Sequence, residues 1–320
     1  MEPERTNQAA FGRSSLTLLG TALAALASVH AACGAVTNLS SSADTTLSEN
    51  WPSNNFGGMS FVNAGTTQNL TRNRGLYKFD VAGVIPAGSL IRTVSLVLEL
   101  TQAPRDGYNF ADFSLRRLLV DWGEGNKTTP TNSPNAGTGS PATTNEANWY
   151  YRLAYTTNLW TLPGGAATND YSPIASSSQT IYGLADSPYT FGSTPALVTD
   201  VQFWLDQPQY NFGWMLLCES ENTDFSARRF GSREDSNFPP ELQIEYLIAP
   251  LIDRAERSGD QFNLFFTAQP AQTYEVEFCG SLDTHQWQTL ANVGSFAEVT
   301  RVLVVDPISS AQRFYRLLTY

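Results

Sequence analysis

The sequence predicts an all-β protein, a jelly-roll β-sandwich followed by a smaller β-sandwich, and three observations carry that prediction. Side chains alternate with a period of two over long runs. Tyr77, Phe79 and Val81 point one way with Leu76, Lys78 and Asp80 opposite, and Val94, Leu96, Leu98 and Leu100 oppose Ser95, Val97, Glu99 and Thr101. That period marks strands with one face on a core. Turn residues punctuate the runs, as in Ile85-Pro86-Ala87-Gly88 between the two just described, where proline fixes φ and glycine permits a positive one. Helical periodicity is scarce, and its best candidate is Val198–Asp206, with Val198, Val201, Trp204 and Leu205 on one face and Pro208 to stop it.

The elements follow in order. Short strands are expected at 44–47 and 59–63, around a turn-rich loop holding Pro52, Asn54, Asn55, Gly57 and Gly58. Strands at 75–80, 93–101 and 112–120 come next. Residues 123–148 hold too few apolar side chains to pack and read as a surface loop. Residues 155–189 continue as irregular chain with aromatic anchors. Strands then follow the helix at 211–219, 227–231 and 242–246. After the linker LIAPL the pattern restarts, with Phe262, Leu264 and Phe266, then Tyr274, Val276 and Phe278, then 287–290, 300–305 and 313–318. The expected division is a jelly-roll domain at 36–247 and a small β-sandwich domain at 252–320.

Residues 1–31 read as a signal peptide. Arg13 closes a polar start, Leu16–Val29 is apolar, and Val29-His30-Ala31 offers a cleavage site. Such a run is short for crossing about 30 Å of hydrocarbon, so no membrane span is expected. Ala31-Ala32-Cys33 has the outline of a lipidation site, but His30 stands where Leu or Val is usual. The expected location is therefore outside the cell or on its surface. Formal net charge is −11, and it is unchanged by cleavage, which removes Glu2, Glu4, Arg5 and Arg13. An acidic surface repels nucleic acid, so none is expected as partner. Cys218 and Cys279 are too few for a disulfide framework and read as small buried thiols.

Histidine nearly vanishes after processing, leaving His285. That excludes a Ser-His-Asp triad in the first domain and a zinc site of several imidazoles. Carboxylate pairs remain, Asp121 with Glu124 and Glu234 with Asp235, but all four flank turns, where acids serve as hydrogen-bond acceptors. Aromatic rings are the better lead. Trp51, Trp122, Trp149, Tyr150, Tyr151 and Trp160 lie in or beside loops, and sugar C–H faces stack on such planes. The bland alternative is that they plug loops onto the core. Arginines 72, 74, 116, 152, 229 and 233 offer bidentate donors for acidic sugars. The ligand-binding candidates are thus Trp51, Trp122, Trp149, Tyr150, Trp160, Arg74 and Arg116. Asp44, Asn54 and Asn55 supply hard oxygens for a structural calcium ion, without EF-hand spacing.

The first domain resembles the DNRLRE family of bacterial extracellular jelly-roll domains. The likeness lies in Asp44-Thr-Thr-Leu47, Asn54-Asn55-Phe56-Gly57, Leu76-Tyr-Lys-Phe-Asp80, Val120-Asp-Trp-Gly-Glu-Gly125 and Ala147-Asn-Trp-Tyr-Tyr-Arg152. Val201-Gln-Phe-Trp204, Asn211-Phe-Gly-Trp214 and Phe230-Gly-Ser-Arg-Glu234 complete the ordered set. The resemblance implies a non-catalytic surface domain, in some relatives a carbohydrate-binding module. The last stretch resembles a small β domain of verrucomicrobial secreted proteins, through Tyr274-Glu-Val-Glu-Phe278 and Arg313-Phe-Tyr-Arg316. The expected function is recognition of an extracellular polysaccharide without catalysis. Two other readings stay open, a structural or adhesive surface protein and a polysaccharide-degrading enzyme.

Overall fold

The computed structural model describes residues 34–104, 110–133, 137–283, 286–307 and 312–319; residues 1–31, Cys33 and His285 lie outside them. The first strands are β1 (Ala35–Ser40), β2 (Ala43–Ser48), β3 (Asn54–Asn55), β4 (Phe61–Thr66), β5 (Arg72–Lys78), β6 (Leu90–Leu98), β7 (Leu100–Gln102) and β8 (Ala111–Arg117). Then come β9 (Ser140–Pro141), β10 (Ser177–Ile181), β11 (Tyr189–Phe191), helix α1 (Pro195–Asp206), β12 (Trp214–Cys218), β13 (Arg228–Gly231) and β14 (Glu241–Leu247). The last six are β15 (Ile252–Ser258), β16 (Gln261–Ala268), β17 (Tyr274–Cys279), β18 (Gln288–Val293), β19 (Thr300–Pro307) and β20 (Phe314–Thr319).

The architecture is an all-β sandwich. One sheet runs β1-β14-β6-β11, and a larger, curled one runs β10-β8-β12-β5-β4-β13-β7, with β2 also paired to β5. The two long period-two runs do not form a hairpin. β5 belongs to the large sheet and β6 to the small one, so the Pro86-Gly88 turn carries the chain from one layer to the other. Between the layers lie Leu96, Leu98 and Ile244 from the small sheet and Tyr77, Phe113, Leu216 and Phe230 from the large one. β15-β16-β19 and β18-β17-β20 make two further sheets that enclose Leu264, Phe266, Tyr274, Val276, Val302 and Val304. Both Cys218 and Cys279 are buried free thiols.

Helix α1 forms where the periodicity places it, one turn longer at its start. Thr194 accepts a hydrogen bond from the Leu197 amide at 3.0 Å and Pro195 fills the first turn, which satisfies one orphan donor and presets φ. Its Trp204 ring lies 4.4 Å from that of Trp214 in β12. Asp200 fastens the helix to the sheet, accepting from Trp214 Nε1 at 2.9 Å and pairing with Arg117 at 3.0 Å.

The loop after β8 departs from expectation. Far from standing off the surface, residues of the 118–171 stretch cover the second face of the large sheet. Leu118, Ala147, Trp149, Trp160 and Tyr171 form a second apolar cluster with Leu47, Leu76, Met215 and Leu217 of the strands. Few apolar residues suffice because polar side chains order the backbone. Asn148 Oδ1 accepts from the amides of Tyr150 and Tyr151, both at 2.9 Å, and Asp170 accepts from Thr161 and Ala166. Such bonds meet main-chain needs without regular structure. Leu76, which alternation would have aimed outward, is consequently buried along with Tyr77.

Trp149 is one of two buried tryptophans in this layer, so Trp149→Ala should destabilise the protein by roughly 3–5 kcal/mol, the cost of truncating a large buried aromatic. Urea denaturation followed by tyrosine and tryptophan fluorescence measures it; a loss below about 1 kcal/mol would mean that the loop layer contributes little to folding.

Candidate ligand-binding grooves

The ends of β2 and β5 set up the site. Successive strand residues face opposite ways, so Ser48 and Asn50 share one side with Asn73, while Glu49 shares the other with Arg72 and Arg74. Each side opens into a groove, the first of about 450 Å³ and the second of about 790 Å³.

The first groove is floored by amide and hydroxyl groups from Ser48, Asn50, Asn63, Asn73 and Gln102 and edged by Trp51, whose ring is 37% exposed. Arg229 enters from β13. Its guanidinium carbon lies 3.7 Å from the centre of the Phe61 ring, and its Nε donates to Asn63 Oδ1 at 3.2 Å. Burial pushes its pKa down, and among the described residues no carboxylate pairs with it. Arginines 72, 74, 116, 117, 152 and 233 are each matched to an acid instead. No acidic residue is among those described around this groove.

The other sequence candidates divide sharply. Trp149 and Trp160 are only 3% exposed, so neither has a face to offer a sugar. The Trp149 ring is flanked by the guanidinium groups of Arg72 and Arg74 at 5.4 and 5.7 Å, and Trp160 Nε1 donates to the Asn148 carbonyl at 2.9 Å. Trp122 packs half-buried on the second cluster, its Nε1 donating to Phe212 O at 2.8 Å. Arg74 is buried, bound to Glu221 and to the carbonyls of Gly164 and Gly165, both at 2.8 Å. Arg116 pairs with Glu219 at 2.7 Å and also donates to Pro173 O. Both arginines are structural clamps, each engaged through Nε and both Nη atoms. Trp51 and Tyr150, the latter 42% exposed, keep open rings. Sequence reading passed over Asn63, Asn73 and Gln102, because isolated amides on strands carry no pattern until neighbouring strands gather them.

The metal candidates also rearrange. Asn55 Oδ1 already accepts from the amides of Gly57 and Lys127 at 3.0 and 3.2 Å, and its Nδ2 donates to the carbonyls of Glu124 and Ala147 at 2.6 and 2.9 Å. Asn54 donates to Thr138 O at 2.8 Å. Asn55 thus brackets loops and has no oxygen left for a cation. Asp44 instead meets Glu124 and Glu234, with carboxylate oxygens within 4.8 Å of one another. This trio could hold a cation. Arg233 already bridges two of its members, at 2.5 Å to Glu124 and 3.0 Å to Glu234. Asp44 accepts from Ser41 Oγ at 2.6 Å and from the Arg233 amide at 2.8 Å. Burial nevertheless raises its pKa to about 7, and raises that of Glu124 as well.

No family model matches the chain, and no curated protein is similar to it in sequence.

The raised Asp44 value has a consequence for stability. A folded-state pKa above the unfolded one means a contribution fully present below about pH 4 and lost as pH rises through 7. Asp44→Asn, which mimics the protonated acid, should therefore match wild type near pH 4 and exceed it by roughly 2–4 kcal/mol at pH 8. Urea denaturation in EDTA, across that range, is the measurement. A difference that does not change with pH would place the proton elsewhere.

Proposed function

We propose that the protein is a non-catalytic polysaccharide-binding protein acting outside the cell or at its surface, with the first groove as its binding site. The observation that carries this reading is the groove's chemistry. An open tryptophan ring stands beside a row of amides and hydroxyls, with the Arg229 guanidinium, which has no acid partner among the described residues. Sugar C–H faces stack on the ring, hydroxyls exchange hydrogen bonds with the amides, and Arg229 offers a charge-assisted bond to an acidic sugar's carboxylate or sulfate. The resemblance to DNRLRE-type surface domains and the apolar leader at 16–29 support the same reading.

Absence of catalysis is part of the proposal. Glycoside hydrolysis by the usual route needs two carboxyl groups straddling the bond at roughly 5 to 9.5 Å. The described walls of the first groove supply none, and the trio of Asp44, Glu124 and Glu234 lines neither groove. Asp121, a sequence candidate, is bound to Arg152.

Native gels cast with alginate, pectin, xylan or fucoidan test the reading by retardation. Trp51→Ala should weaken binding about tenfold in whichever gel retards the wild type, the scale of a lost aromatic contact. Arg229→Gln should weaken binding to acidic polymers by roughly tenfold or more and flatten its dependence on salt. Unretarded migration of wild type in every gel would count against the proposal, and so would variants that migrate like wild type.

A further inference from the structure

The second groove differs from the first in charge, and that difference assigns it a different ligand. It lies on the opposite side of the β2–β5 ribbon, since Glu49, Arg72 and Arg74 line it while Ser48, Asn50 and Asn73 line the first. Its charges cancel. Arg72 binds Glu49 through Nε at 3.0 Å and one Nη at 2.7 Å, and Arg74 binds Glu221. An anion entering here would meet Glu49, and a cation would meet Arg72, each already matched, so an ionic ligand gains nothing over water.

The same pair is well made for hydroxyl groups. The Arg72 side chain is about one-third exposed, and its other Nη makes none of these bonds, which leaves a donor. The carboxylate of Glu49 keeps acceptor capacity beyond the bonds it receives. Two neighbouring hydroxyls of a sugar could accept from the one and donate to the other. Around this polar floor stand Tyr150, 42% exposed, with Leu162, 60% exposed, and Pro163. An open ring and aliphatic rim cost free energy in water and suit the C–H face of a pyranose.

We propose that the second groove binds a neutral glycan, one without carboxylate or sulfate groups. The protein then has two sites of unlike selectivity on opposite sides of one ribbon, and a single molecule holds an uncharged chain independently of what the first groove takes. This goes beyond the reading of the first groove and does not require it.

The test uses the full chain in gels cast with mixed-linkage β-glucan, glucomannan or galactomannan, alongside alginate as the acidic comparison. Wild type should be retarded in at least one neutral gel. Tyr150→Ala should weaken that retardation at least tenfold and leave the alginate result unchanged, while Tyr150→Phe retains it. Arg229→Gln should leave the neutral gels untouched. Near-UV circular dichroism establishes that each variant is folded. The proposal is overturned if no neutral gel retards the wild type, if Tyr150→Ala migrates like wild type in the neutral gels, or if it loses acidic and neutral binding alike. Failure of the first groove has a different signature, an Arg229→Gln variant unchanged on alginate while the neutral results hold.

Discussion

The Arg74 guanidinium is the point on which the rest of the molecule depends. It starts on β5, grips the Glu221 carboxylate in the β12–β13 connection, and donates to the carbonyls of Gly164 and Gly165 in the covering loop, all while lying against Trp149. One side chain thus ties strand, connection and loop layer together. Taking such a charge out of water costs several kcal/mol, and only near-complete pairing offsets it. Removing either partner would leave the other stranded, so the three parts are held in a single arrangement. Gly164 fits the same demand. It has φ of +84°, and a Cβ there would lie 2.5 Å from the Trp149 ring, so both backbone and packing ask for glycine.

That clamp also explains which parts of the structure were legible in the sequence. Period-two alternation is enough for the long strands β5, β6 and β14 of the sandwich, and Val201 and Trp204 are enough for the helix, because both facts are local. The face of Leu76 was not. It is buried because Trp149 and Trp160 arrive from a distant loop, and nothing in the neighbourhood of Leu76 announces them. Residues 123–148 misled for a related reason. Their order comes from Asn55, Glu146 and Asn148 bonding to main chain, an economy invisible to a count of apolar residues. The missed strands β1, β10 and β11 are short or polar and are specified by their partners more than by their own pattern.

The candidate site was half legible. Loop tryptophans could be picked out as a class, but burial separates Trp51 from Trp149 and Trp160, and burial is a tertiary property. The carboxylates show the same limit. Glu124 and Glu234 sat in two sequence pairs, each beside another acid, yet the fold takes one from each pair and sets them against Asp44. Register supplies part of this, since Asp44 on β2 lies across from Tyr77 in the middle of the sheet, where burial is complete.

Charge distribution then follows from a simple constraint. A chain with net charge −11 has acids to spare, so an arginine that lies near the surface of its fold usually finds one. Arg72, Arg74, Arg116, Arg117, Arg152 and Arg233 all do. Arg229 is held instead by a ring and an amide oxygen, in a groove whose described walls are free of acids. Strand alternation sends Asn73 to that groove and its neighbours Arg72 and Arg74 to the other. One short ribbon therefore turns amides and a hydroxyl toward Arg229 of β13 on one side and carries matched arginines on the other. The unlike lining of the two sides rests on a period of two in the backbone, since a single-residue slip of β2 against β5 would turn Ser48 toward Arg72 and Arg74 and Glu49 toward Asn73.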